Sequence, residues 1–282
     1  MENERIERKI VYPKGSDRET LKKLHSIASE RRKEQFTKQH EEFIKTAKLK
    51  AESLSPLVDM LNIDRKRVEE TISNTRKAMQ ERIGNKEPPT FESEVSHNPV
   101  RYAPFDMPYT NISCGGITYC SLRNDPNSGE IGADLAIFNG GGGSSVSSIG
   151  FWYYAGQSGT LSVIINASVW GSGYVFSALF GYASAYARLR AYIEKYSSDF
   201  KVYTSSTNIY DRSGVLEFDI TNFDWQSFSV GISIPVDAGT WYAIWADAVQ
   251  GAYAGGIADS VSNFDMYVNS VVYSLDGGGP IM

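Results

Sequence analysis

Ser227-Phe228-Ser229-Val230-Gly231-Ile232-Ser233-Ile234 alternates a small or polar residue with a bulky apolar one over eight positions. Successive side chains of a strand point to opposite faces, so this stretch reads as a half-buried β-strand with Phe228, Val230, Ile232 and Ile234 toward a core. Phe264, Met266 and Val268 repeat the pattern against Asn263, Asp265, Tyr267 and Asn269. Leu161, Val163 and Ile165 give a third strand, and the runs Val215 to Ile220 and Trp241 to Trp245 give two more. Turn signals separate them at Asp125-Pro126-Asn127, Asp211-Arg212-Ser213-Gly214 and Asp237-Ala238-Gly239. Short strands punctuated in this way predict an antiparallel sandwich or jelly roll over residues 111–276.

One segment fits two periods. Tyr182 to Tyr196 (YASAYARLRAYIEKY) reads as a helix or as a strand. The strand is favoured because Tyr suits a pleated surface and the flanks are β-like. It would place Leu189, Ala191 and Ile193 inward, and Arg188, Arg190 and Tyr192 outward.

Ahead of the sandwich the chain changes character. Residues 1–90 hold 21 Lys and Arg against 16 Asp and Glu, a net +5, whereas the remainder holds 7 against 17, a net −10. Residues 1–15 read as an extended arm broken by Tyr12-Pro13-Lys14-Gly15. Residues 16–84 read as a charged helical segment of two to three helices. Leu21, Leu24, Ile27, Phe36, Phe43, Ile44 and Ala47 form a sparse apolar stripe on the first. Ser55-Pro56 reads as the start of a second helix and Asp64 as the start of a third, which ends at Gly84-Asn85. Residues 85–110, spaced by five prolines, read as a semi-rigid linker, and 277–282 as a tail. The expected fold class is segregated α+β, a helical segment followed by an all-β sandwich. So polar a helical segment is marginal alone and is expected to pack on the sandwich or on copies of itself.

The chemistry-bearing residues are few. His25, His40 and His97 all precede the sandwich and read as surface histidines. No Gly-x-Ser-x-Gly elbow is present, so no catalytic residue is assigned and the chain is not expected to be an enzyme. Gly140-Gly141-Gly142-Gly143 lacks the Lys-Ser/Thr ending of a phosphate loop and reads as a flexible loop between strands. Cys114 and Cys120 are the only cysteines. Their spacing is compatible with a disulfide that a chain of this size does not require. Asp211, Asp237 and Asp259 are the carboxylates that could hold Ca²⁺ through oxygen ligands, although Asp more commonly tightens turns. No other cofactor is expected.

Phe151-Trp152-Tyr153-Tyr154 cannot all face one core, so some of these rings must meet a partner or a ligand. Trp152, Tyr153, Tyr154, Trp225, Asp224, Trp241 and Asp247 are therefore the candidate ligand-binding residues. The function that fits is a non-enzymatic, self-assembling structural or binding protein. Its helices would dock or oligomerise, and its sandwich would present aromatic and Asp-rich loops to a glycan or protein surface. One alternative is a pore-forming toxin-like protein that inserts the uncharged stretch 161–186 into a membrane as a β-hairpin. A glycan-active hydrolase using paired carboxylates is another. Leu57 to Val68 loosely suits a helix-turn-helix, but the flanking Glu residues argue against nucleic acid as a partner. The opening MENERIERKI is charged, with no apolar run. The expectation is synthesis in the cytoplasm without a signal peptide, followed by signal-independent release or incorporation into a particle.

Overall fold

A computed structural model describes residues 18–58, 99–177, 181–215, 217–256 and 258–276. One helix and nine strands follow in order: α1 Arg18–Val58, β1 Val100–Arg101, β2 Met107–Asp125, β3 Glu130–Ala155, β4 Gly159–Ser177, β5 Tyr182–Tyr196, β6 Lys201–Gly214, β7 Phe218–Val236, β8 Thr240–Gly255 and β9 Ala258–Asp276.

The strands form two antiparallel layers that share β2 and β3. Gly141 to Ala155 of β3 pair with β8, whereas Glu130 to Phe138 pair with β9. β2 follows β3 along both halves. The first layer is therefore β2–β3–β8–β5–β6, and the second is β2–β3–β9–β4–β7. Their inner faces meet in one core of small and branched side chains, among them Ile131, Leu135, Leu161, Val163, Ile165, Leu189, Ile193, Phe264 and Met266. Polar groups that cross between the layers are paired, as where Gln250 donates to the Phe264 carbonyl at 2.8 Å and Ser260 to that of Ser184 at 2.6 Å.

The crossing point explains the glycine run. Gly140 and Gly141 have φ of +124° and +134°, and facing Gly116 has φ of +91°. A Cβ on Gly141 would fall on the Gly115 carbonyl, and one on Gly116 on that of Gly140. Residues 140–143 therefore lie within β3, where the β2–β3 hairpin turns from one layer into the other, and not in a loop. Only residues without a Cβ allow both strands to bend there while staying paired. Cys114 and Cys120 flank the bend on β2 and are joined by a disulfide.

Residues 182–196 form a strand, with Leu189, Ala191 and Ile193 in the core and the even-numbered residues on the outer face. Phe228, Val230, Ile232 and Ile234 pack on the core as their alternation requires. Three expectations are corrected. Residues 99–110 are not all linker: Val100–Arg101 pairs with β9, Phe105 enters the core, and β2 starts at Met107. Pro99 and Pro108 sit at the starts of β1 and β2 and Pro104 in the bend between them, so none of them removes a donor from a strand interior. Ser55-Pro56 does not open a second helix, because α1 continues to Val58 and the proline lies within its last turn. The stretch 161–186 is not a hairpin: β4 pairs with β7 and β9, and β5 pairs with β6 and β8. The expected arm, the helices after residue 58, the helix-turn-helix, His97 and the tail lie outside the described residues. No helix among the described residues is long and apolar enough to cross a membrane.

Candidate functional site

α1 lies across the outer face of the first layer. Its 41 residues span about 60 Å at 1.5 Å per residue. Among the described side chains, Leu21, His25, Ala28, Arg32, Phe36 and Ala47 are its buried positions, recurring at helical spacing. Arg32 and His25 take places that an ordinary amphipathic helix fills with Leu or Ile. The sheet below is correspondingly polar and aromatic. The outer side of β5 presents Tyr182, Ser184, Tyr186, Arg188, Arg190, Tyr192, Glu194 and Tyr196, because every second residue faces outward.

Arg32 is fully sequestered by this surface. It pairs with the buried Asp247 carboxylate and donates to Ser148 Oγ at 2.8 Å. Its guanidinium lies over three rings, 4.3 Å from that of Tyr109, 4.4 Å from Tyr192 and 4.8 Å from Trp245. Arg190 approaches the other Asp247 oxygen at 2.7 Å. Burial alone would raise the Asp247 carboxyl, but Arg32 and Arg190 hold it below its ordinary value. Burial raises Glu194, which accepts from Tyr196 at 2.8 Å and Trp245 at 3.0 Å. The cluster thus opposes two guanidiniums with two carboxyl groups. His25 lies 6.0 Å from the Trp152 ring and 6.1 Å from that of Trp245. Burial, and secondarily Arg32, lowers it to about 4. His25 and the half-buried His40, which contacts Ser144 Oγ at 3.1 Å, are thus not surface histidines.

Toward the C-terminal half of α1 the contact opens into a groove of about 560 Å³ between the helix and strands β5 and β6. Gln39, Glu42, Phe43, Thr46 and Lys50 form the helical wall. Tyr182, Tyr186, Arg188 and Arg190 of β5 and Thr204, Ser206 and Asp211 of β6 line the side facing it. Tyr186 lies flat over Gly251, where any Cβ would strike its ring, and meets Phe43 edge-on at 5.3 Å. Arg188 stacks 4.9 Å from the Tyr186 centroid and reaches Asp211 at 3.0 Å, while its buried Nε has no hydrogen-bond partner among the described residues. This lining mixes flat rings with donors and acceptors of both charges.

The seven candidate ligand residues do not converge. Trp152 and Asp247 lie beneath α1, and Tyr154 sits exposed at the end of the same face, its ring 5.1 Å from that of Trp241. Tyr153 faces the opposite side, against Tyr242 and Tyr273. Trp225 and Asp224 lie on β7 of the second layer. The split of Phe151 to Tyr154 between two faces is as expected, but the cover over Trp152 is the chain's own helix. The calcium candidates are likewise apart: Asp211 pairs with Arg188, Asp237 with Lys195 at 2.7 Å, and Asp259 is buried on β9. No group of three or more potential metal ligands occurs among the described residues. Of the groove residues on β5 and β6, the sequence assigns only Asp211 to a site, as a calcium candidate and not as a ligand-binding residue. The available signal was the outward Arg188 and Arg190 flanked by outward tyrosines.

No family model matches the chain. No curated protein matches it either. Among solved structures it is similar to a complex of TmCBM61 with beta-1,4-galactotriose, at 10% identity over 57% of this chain and 88% of that one, with a TM-score of 0.24. A carbohydrate-binding module of the beta-sandwich superfamily gives 12% identity over 59% and 56%, with a TM-score of 0.28. The enzymatically active domain of bacteriophage CBA120 tailspike protein 4 gives 12% identity and 0.24, and the match spans 19% of that chain. At these scores the likeness decides neither ligand nor activity.

Proposed function

We propose that the chain is a non-catalytic binding protein that takes a glycan segment in the groove between α1 and strands β5 and β6. The groove itself carries the reading. Its 560 Å³ lies within the range of small-ligand sites. A sugar offers apolar C–H faces and a rim of hydroxyls that both donate and accept. The half-buried rings of Phe43 and Tyr186 supply the apolar contact for the faces. Arg188, Glu42, Asp211, Thr204 and Ser206 match the rim. The sheet holds the strand residues rigidly, and α1 is fixed by the buried Arg32–Asp247 pair, so little ordering entropy opposes binding.

The test is binding of the full chain to an array of immobilised polysaccharides and oligosaccharides. At least one is expected to bind, and Tyr186→Ala is expected to weaken it about tenfold, or about 1.4 kcal/mol. Arg188→Ala, which leaves the aromatic floor intact, should weaken it as well. Absence of binding across the array, or full affinity in both variants, would exclude the groove.

Assembly of copies is a second reading, favoured by an apolar patch on the second layer. Phe218 is 58% exposed and Ile220 40% exposed, beside Tyr174 and Phe176. Light scattering on the full chain should give a mass above that of one protomer, reduced in Phe218→Ser. A protomer mass at every concentration ends this reading.

A further inference from the structure

Histidine is the side chain whose ordinary value lies between pH 5 and 8. After His97 the sequence contains none, so the sandwich has no histidine. Among the described residues the only two are His25 and His40, and both lie on the side of α1 that meets the sheet. The contact between helix and sheet therefore carries a titration that the sandwich core lacks.

His25 sits where an added proton finds no acceptor. Its ring lies against Trp152 and Trp245, with Nε2 3.4 Å from Ser29 Oγ. Its buried Nδ1 has no hydrogen-bond partner among the described residues. A neutral imidazole donates from one nitrogen, whereas an imidazolium donates from both.

The surrounding charges are already committed. On α1 itself, the Arg32 guanidinium opposes a second positive charge. Asp247 of β8 is shared between Arg32 and Arg190. Glu194 of β5 accepts from Tyr196 and Trp245, and the phenol rings of Tyr192 and, on β2, Tyr109 lie under Arg32. Asp106, just ahead of β2, pairs with Arg101. β3 presents Trp152, Ser144 and Ser148, none of which titrates. Further along α1, His40 contacts Ser144 Oγ at 3.1 Å and stacks on Phe36 at 6.4 Å, with Glu41 beside it and Tyr186 of β5 on the same serine.

Lifting α1 strands no charge. Arg190 stays on Asp247 at 2.7 Å, and Arg32 passes into water. The apolar side chains that α1 buries are few, Leu21, Ala28, Phe36 and Ala47 among those described, whereas the two layers close on a core of their own. An element with little buried apolar surface opens at lower cost than the whole domain.

We propose that α1 is an acid-released strap: protonation of His25 and His40 lifts the helix from an intact sandwich and takes away one wall of the groove. The release needs no ligand. Burial lowers both histidines, and Arg32 adds to this at His25, so the lifted helix takes up the protons first. Docking is fully favoured above about pH 6.5 and is lost as the pH falls toward 4. Glu194, raised by burial, opposes the two histidines.

The experiment is amide hydrogen exchange of the full chain at pH 7 and pH 5, with each rate corrected for its intrinsic pH dependence. With His25 at about 4 in the docked helix and about 6.5 in the lifted one, protection of residues 21–40 should fall about twentyfold. Strands β3, β8 and β9 should keep theirs. In the double variant His25→Phe, His40→Gln the fall in α1 should disappear. Where that variant does not fold, a proton NMR titration of His25 in the wild-type chain replaces it, and its midpoint should lie well below 6.5. Equal protection of α1 at both pH values would overturn the proposal. So would a fall shared equally by the strands, an undiminished fall in the double variant, or an ordinary midpoint for His25.

Discussion

Asp247→Ala is expected to lower the unfolding free energy by about 3–5 kcal/mol, the largest effect of any single substitution considered for this chain. Asp247 is fully buried and, among the described residues, is the only carboxylate in ion-pair contact with Arg32 or Arg190. Its removal leaves two guanidiniums facing Glu194 alone. A buried charge without its partner keeps its desolvation cost and loses the attraction that offset it. Arg32 can then leave only by lifting α1 from Tyr109, Tyr192 and Trp245, which exposes three rings to water. The double variant Arg32→Met with Asp247→Leu should recover a large part of the loss, since apolar side chains of similar size can replace a buried pair. Denaturant titration of the three proteins measures both effects. A loss below about 1 kcal/mol in Asp247→Ala would mean that α1 is not held by this pair.

Acidification from pH 6.5 to 4 is expected to destabilise the chain through His25 by on the order of 3 kcal/mol. In the unfolded chain this imidazole titrates near its ordinary 6.5. In the folded chain burial between Trp152 and Trp245, with Arg32 nearby, lowers it to about 4. Between those values the unfolded state binds a proton that the folded state does not. The contribution of His25 is thus fully present above pH 6.5 and is lost progressively down to about pH 4. His40, also lowered by burial, acts in the same direction. Glu194 acts against them, because burial raises it and the folded state takes up its proton first. Asp247, held low by its two arginines, contributes a loss only below its unfolded value of about 3.8. His25→Phe keeps a ring in the same slot and isolates the term. The variant should lose less stability than the wild-type chain over this interval, by that same 3 kcal/mol. Parallel pH profiles would show that His25 is not buried as a neutral ring.

The two layers were legible because period-two alternation follows directly from strand geometry. Leu189, Ala191 and Ile193 face the core and Arg188, Arg190 and Tyr192 face out, as the sequence of β5 predicts. The cover over that outward face was not legible. The stripe on α1 carries Arg32 and His25 among its buried positions, so its apolar periodicity is weak, and Ile27, which fits the period, is 39% exposed. What identifies the stripe is complementarity across 215 residues, between Arg32 on α1 and Asp247 on β8, and no local pattern records that. The bend of β3 was hidden for a related reason. Four glycines in a row resemble a flexible loop until Gly115-Gly116 is placed opposite them in the same hairpin. The candidate tryptophans scattered over both layers because composition identifies rings but not the face each one takes. A bulge set Trp225, and the shared strand β3 set Trp152.

The most direct test of the groove is amide hydrogen exchange on the full chain, alone and with soluble forms of the arrayed polysaccharides in turn. With a bound glycan, protection should rise in residues 39–50 of α1 together with residues 182–190 of β5 and 204–213 of β6, because one ligand would bridge both walls. Exchange that is unchanged there with every polysaccharide would contradict the groove as the binding site.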